Sequence, residues 1–160
     1  MIASTPASPV RRRIAVVTGA SAGIGAEIAR DLAARGFDLA LVARRRPELE
    51  ALARELTREG APAPLVVALD LTRPDAAEAL LAALPEAEFE IAALVNNAGF
   101  GLRGRADEVS AADQLALLDL NIRALTALTL AFLPRLKAAR GKILNVASVV
   151  AFMPGPGMAV

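Results

Sequence analysis

Short apolar runs alternate with longer amphipathic stretches along this chain. The runs are centred on Ile14-Ala15-Val16-Val17, Leu39-Ala40-Leu41-Val42-Ala43, Leu65-Val66-Val67-Ala68-Leu69, Ile91-Ala92-Ala93-Leu94-Val95 and Ile143-Leu144 within residues 142–147. Each is brief, aliphatic and nearly free of charge inside, as a strand buried on both faces must be. Between them the spacing turns helical. Ile24, Ile28 and Leu32 predict a helix over about 23–35, closed by Gly36. Leu49, Leu52, Ala53 and Leu56 form the stripe of a second helix that starts at Pro47, a good first-turn residue, and stops at Gly60. Thr72 followed by Asp75 resembles a capping box and predicts a third helix with Leu80, Leu81 and Leu84 inside. Ser110 with Asp113 predicts the start of a long fourth helix, about 111–138. Strand and helix in regular alternation imply an α/β fold, a parallel sheet covered by helices on both faces.

The long helix is apolar nearly all round. Leu115, Leu118, Ile122 and Leu125 lie on one side, with Leu117, Leu120 and Leu128 on others. Such a helix is expected to be buried on more than one face. It reads as a core helix whose outer face meets a second subunit, so a homo-oligomer through residues 111–138 is expected. Its longest apolar run, around 124–133, is shorter than a bilayer requires and holds Thr126 and Thr129, so no membrane association is expected.

The chain has 160 residues, of which 55% are hydrophobic and 22% charged, enough for a sizeable core in about one domain. A net charge of +1 argues against an electrostatic nucleic-acid binder. Cysteine and histidine are both absent, which removes disulfides, thiolate chemistry and the commonest metal ligands. No targeting segment is visible; residues 1–12, ending in the arginine run, read as a disordered basic tail ahead of the folded unit at 13–160. A cytoplasmic protein is expected.

The chemistry gathers where the strands end. After the first strand comes Thr18-Gly19-Ala20-Ser21-Ala22-Gly23-Ile24-Gly25, running straight into a helix. A strand, a glycine turn and a helix start present free N–H groups and a positive dipole end to one point, which suits a phosphate. The spacing Gly-x-x-x-Gly-x-Gly departs from the usual dinucleotide fingerprint, and no Gly-Lys-Ser/Thr of a triphosphate loop is present. After the second strand come Arg44-Arg45-Arg46, and Arg44 lies nineteen residues past Gly25. An acidic residue near that place binds the ribose hydroxyl of NAD, whereas arginine accepts the 2′-phosphate of NADP. The third strand leads to Asp70-Leu71, where Asp70 suits an adenine amino group or a helix start. The fourth leads to Asn96-Asn97-Ala98-Gly99, whose amides could form a simple turn or tie neighbouring loops together. The fifth leads to Ser148. In an open parallel sheet, ligands bind beyond these strand ends.

Taken together, these residues resemble the short-chain dehydrogenase/reductase family over residues 12–160. The shared features are the T-G-x-x-x-G-x-G turn at 18–25, the Asn-Asn-Ala-Gly at 96–99, Asp70-Leu71, a helix asparagine at Asn121 and a serine at Ser148. The resemblance implies a Rossmann-like doubly wound sheet, with five strands present in the order 3-2-1-4-5 and further C-terminal strands missing. It implies NADP as cofactor and a carbonyl or alcohol as small-molecule substrate. Gly19, Ser21, Gly23, Ile24, Gly25, Arg44, Asp70, Leu71, Asn97, Ala98 and Gly99 would line the cofactor. Ser148 would hydrogen-bond the substrate oxygen, and Asn121 would hold a water in a proton relay. Read from the residues alone, Asn121 is a polar side chain in an apolar helix that needs a partner, and a neighbouring carbonyl would serve.

One departure stands out. The family's acid/base pair is Tyr-x-x-x-Lys, a dozen or so residues beyond the serine, and this sequence contains no tyrosine. The chain is therefore expected to be the N-terminal part of an oxidoreductase, nearly inactive by itself, with the fifth strand as an open apolar edge. Two other readings remain: an NADP-binding regulatory or scaffold module without catalysis, and an α/β domain for another nucleotide.

Overall fold

The computed structural model describes residues 11–152, 155 and 157. Five strands form one parallel sheet: β1 (Arg12–Thr18), β2 (Asp38–Ala43), β3 (Leu65–Ala68), β4 (Phe89–Asn96) and β5 (Lys142–Asn145). Their order is β3-β2-β1-β4-β5, as the resemblance implies. The helices are α1 (Gly23–Ala34), α2 (Arg46–Arg58), α3 (Ala76–Ala82), α4 (Ala111–Leu118) and α5 (Leu125–Ala138). The order reverses between β1 and β4, because the chain grows outward from β1 to β3 and then crosses back. That crossing opens a crevice at the carboxyl ends of β1 and β4, where the loops diverge.

Alternation along each central strand divides the core. Ile14, Val16, Val42 and Leu94 face Leu80, Leu128, Phe132 and Leu136, from α3 and α5. Ala15, Val17, Leu39, Leu41 and Val95 face Ala26, Ala29, Leu49, Leu52 and Leu56, from α1 and α2. β2 is buried throughout, as is β1 from Ile14 onward.

Several local expectations change in the structure. The strand starts at Arg12, one residue into the segment read as a tail. Arg12 pairs with Asp38 at 3.3 Å and lies over the Phe89 ring, 4.7 Å from its centroid. Residues 1–10 of that segment lie outside the described residues. Of the stripe expected of α1, Ile28 and Leu32 pack against the core beside the buried Gly25, Ala26 and Ala29, while Ile24 is 62% exposed. Small residues let this helix approach the sheet closely, and a large residue at its first turn has no room inward. The Thr72–Asp75 capping box does not form: Thr72 donates both its N–H and its hydroxyl to Asp70 Oδ1, at 3.0 and 2.8 Å. Asp75 is instead held by Arg73. The Ser110 cap does form, its Oγ accepting from Asp113 N at 3.1 Å and donating to Asp113 Oδ2 at 2.7 Å.

The long helix differs most. A π-helical turn over Asp119–Ala124 joins α4 to α5, so residues 111–138 run on with one widened turn. One face is buried, through Leu117, Ala124, Leu128, Phe132 and Leu136. Leu115, Leu118, Ile122, Leu130 and Leu133 are exposed, so among the described residues the helix is buried on one face. By length and composition alone its 28 residues could cross a membrane, with mean hydropathy 1.6 over the most apolar window. The sequence reading counted only the uninterrupted apolar run; scattered polar residues leave the average high. In the structure the buried face of this helix packs against the sheet.

Candidate active site

Arg44, Asp70, Asn97 and Ser148 each follow the carboxyl end of a parallel strand, so they share one rim of the sheet. At its centre the glycine turn is locked to the loop after β4. Thr18, 1% exposed, donates its hydroxyl to Val95 O at 2.9 Å. The same oxygen accepts from Asn97 N and Ala98 N, both at 3.0 Å. Asn97 Nδ2 donates back to Thr18 O at 2.9 Å and to Gly19 O at 3.3 Å. One hydroxyl and one amide thus satisfy the polar groups of two diverging strand ends.

This closeness is what demands glycine. Gly19 has φ +67°, and a Cβ there would stand 2.7 Å from Asn97 Nδ2 and 2.9 Å from Ala98 Cα. A Cβ on Gly25 would collide with Gly19 O and Asn97 Nδ2. Around Gly23, by contrast, nothing lies within 4 Å of where a Cβ would sit, which leaves room on the solvent side. No side chain caps α1 at Ala22, and its first turn holds no acidic residue. Its leading N–H groups and its dipole therefore face that open space uncompensated, a setting suited to an anion.

From the neighbouring strand end, Arg45 Nη2 donates to Ser21 Oγ at 3.1 Å. Position along the chain points to Arg44; this contact puts Arg45 beside the glycine turn. Asp70 has its carboxyl held below the ordinary carboxylate range, first by the Thr72 backbone N–H, then by the Thr72 hydroxyl and the charges of Arg44 and Arg73. Desolvation opposes this and is outweighed. Leu71 buries its side chain in the core with residues of α3, so what it can offer the rim is its backbone.

Farther along the rim, Asn121 sits in the π-helical turn. Its Oδ1 accepts from Phe100 N at 3.1 Å and its Nδ2 donates to Phe100 O at 2.8 Å. Both ends of the amide are thereby committed to one loop residue, the carbonyl-type partner that the residue itself called for. The amide keeps a second acceptor site and a second N–H, so this clamp is compatible with the water-holding role expected of Asn121. Gly99 lies against it: a Cβ there would stand 3.0 Å from Asn121 Oδ1. Asn96, 4% exposed, donates through Nδ2 to Thr129 Oγ1 at 3.1 Å and Asn145 Oδ1 at 2.9 Å, linking β4 to α5 and β5. Ser148 is exposed, and its Oγ accepts from Val150 N at 3.3 Å, which leaves the hydroxyl proton free to donate.

Asn96 ties neighbouring segments together as its amide was expected to, while Thr18, Arg45 and Phe100 join the site without having been assigned to it. Thr18 had a signal, since it opens the glycine motif; the others depend on contacts between distant segments. A groove of about 520 Å³ between α2 and β3, lined by Ala53, Arg54, Thr57 and Val66 among others, contains none of the candidate residues.

The chain is similar to known proteins over most of its length. The family model for short chain dehydrogenase matches residues 13–160. Serine 3-dehydrogenase of Agrobacterium fabrum is 39% identical over 140 residues, 87% of this chain and 55% of that protein. The structure of a short-chain dehydrogenase from Sphingobium yanoikuyae in complex with NADPH superposes with TM-score 0.82 at 41% identity, over 92% of this chain and 58% of that one. An alcohol dehydrogenase from the archaeon Thermococcus sibiricus, complexed with 5-hydroxy-NADP, gives TM-score 0.86 at 33% identity, over 92% and 63%. The chain spans a little over half the length of the curated relatives it matches. With the family model covering nearly all of it, this chain belongs to the short chain dehydrogenase family.

Proposed function

We propose that the chain binds NADP at this rim, as part of an oxidoreductase that interconverts a carbonyl and an alcohol. The observation that carries the reading is the Arg45–Ser21 contact, which brings a guanidinium over an uncapped helix start. Support comes from relatives solved with NADPH and with a hydroxylated NADP. The pyrophosphate would lie against the N–H groups of residues 19–25, with Ile24 exposed beside it. The 2′-phosphate would meet Arg44 and Arg45, whose planar forks bond two oxygens at once. Asp70, kept ionised, would accept from the adenine amino group. Bound nicotinamide would supply or accept the hydride.

The remaining roles belong to the chain's own residues. Ser148 would donate its free hydroxyl proton to the substrate oxygen. Asn121, by clamping Phe100, would fix the loop that carries Asn97, Ala98 and Gly99. A proton donor to the developing alkoxide is typically worth ~10²–10⁴-fold. The 160 residues contain no tyrosine, so on this reading their own turnover is slow. The same absence supports a second reading, a chain that holds NADP without turnover. A homo-oligomer through the exposed face of α4 and α5, no membrane or nucleic-acid partner, and a cytoplasmic location complete the proposal. Sedimentation velocity tests the first of these: a single-copy mass overturns it.

Fluorescence titration with NADPH, NADH and ATP tests the cofactor reading. NADPH is expected to bind at least tenfold more tightly than NADH, with ATP weaker still. Equal binding of NADPH and NADH, or none, overturns it. Turnover of carbonyl substrates alongside separates the two readings.

A further inference from the structure

We infer that Glu48 limits the preference for the phosphorylated cofactor by competing for Arg45. This rests on the NADP reading above and concerns the strength of that preference. Arg45 is shared between two acceptors. Its Nη2 donates to Ser21 Oγ at 3.1 Å, while its Nη1 lies 3.3 Å from Glu48 Oε1. A guanidinium grips a phosphate best when two of its nitrogens face two oxygens. Glu48 occupies one of those nitrogens and leaves the other at the glycine turn.

The neighbouring arginine is not drawn the same way. Arg46 lies 3.6 Å from Glu50, one turn along α2. Glu48 is therefore the carboxylate that meets the arginine over the turn. The Arg45 and Glu48 side chains are 56% and 40% exposed, so the pair is weak and a phosphate dianion can displace the carboxylate. Displacement does not remove the carboxylate. It stays on the first turn of α2, close enough to repel a second anion bound to the same guanidinium. A cofactor with a bare 2′-hydroxyl meets neither the competition nor the repulsion.

The test is a binding measurement on the chain. NADPH and NADH are titrated against the wild type, Glu48→Gln, Arg45→Ala and the double variant at low ionic strength. Glu48→Gln is expected to tighten NADPH about three- to fivefold, the scale of an exposed charge pair, and to leave NADH unchanged. In the Arg45→Ala background the Gln substitution should tighten NADPH clearly less, since the competition has lost its object and only the repulsion is left; an undiminished effect there would overturn the inference. Equal shifts for both cofactors, no shift, or weaker NADPH binding would overturn the inference; the last would make Glu48 a support for Arg45. The two readings fail separately. A wild type that binds NADH as tightly as NADPH defeats the NADP reading and this inference with it. A wild type that prefers NADPH, with a Gln variant indistinguishable from it, defeats this inference alone.

Discussion

The two ends of the candidate site are built differently. On the cofactor side, β1 is buried from Ile14 to Thr18, and Thr18 and Asn97 cross-bond the glycine turn to the loop after β4. On the substrate side, every residue of β5 is exposed, Ile143 and Leu144 included, and Ser148 stands in an exposed turn with Val149 75% and Phe152 88% exposed. The first end is fixed by the core itself. The second is held by the short ladder between β4 and β5, and beyond it by the bonds from Asn96 to Asn145 and from Val146 N to Asn96 O. Within this chain, then, the proposed cofactor cradle is fixed before any ligand arrives, while Ser148, the proposed substrate-side group, has little packing around it. Preorganised donors bind an anion without the cost of ordering them.

Substitutions should separate the two ends sharply. Gly25→Ala should have the largest effect, about 3 kcal/mol of stability or more, because the added carbon meets backbone and Asn97 and neither can yield. Chemical denaturation reads this out, and a loss under 1 kcal/mol would show that the seam is loose. Thr18→Val keeps the shape but strips the acceptor from two backbone N–H groups, and should cost about 2 kcal/mol. Arg44→Ala should weaken NADPH about tenfold by titration, with NADH and stability unchanged. Acid should act next. Asp70 has its pKa depressed below the ordinary 3.8, so its contribution is fully present above that value and is lost as pH falls through the lower folded value. Asp70→Asn should therefore lower stability slightly at neutral pH, where the carboxylate contributes in full, and flatten the acid limb of the stability curve below about pH 4, as urea denaturation against pH would show. Ser148→Ala should be the mildest, within about 0.5 kcal/mol of stability and without effect on NADPH affinity. A large loss there would contradict the contrast between the two ends.

The sheet and the cradle could be read from the sequence because both rest on local rules. Apolar runs of the right length gave all five strands, and glycines between strand and helix marked the turn. What failed depended on partners far along the chain. Whether Ile24 or Ala26 faces inward turns on how near α1 lies to the sheet. Whether Thr72 caps a helix or bonds Asp70 turns on which acceptor comes first, and Asp70, two residues back, wins. The π-helical turn at Asp119–Ala124 leaves no trace in hydrophobic spacing, yet it is where Asn121 turns to grip Phe100. Arg45 could not be told from Arg44 by position, since both follow the same strand. Only the reach to Ser21 distinguishes them.

Hydrogen–deuterium exchange with and without NADPH tests the central claim most directly. The account predicts protection concentrated at residues 19–25, 44–46, 70–71 and 97–99. Protection confined to the α2–β3 groove, or spread evenly with no focus on those four segments, would contradict it.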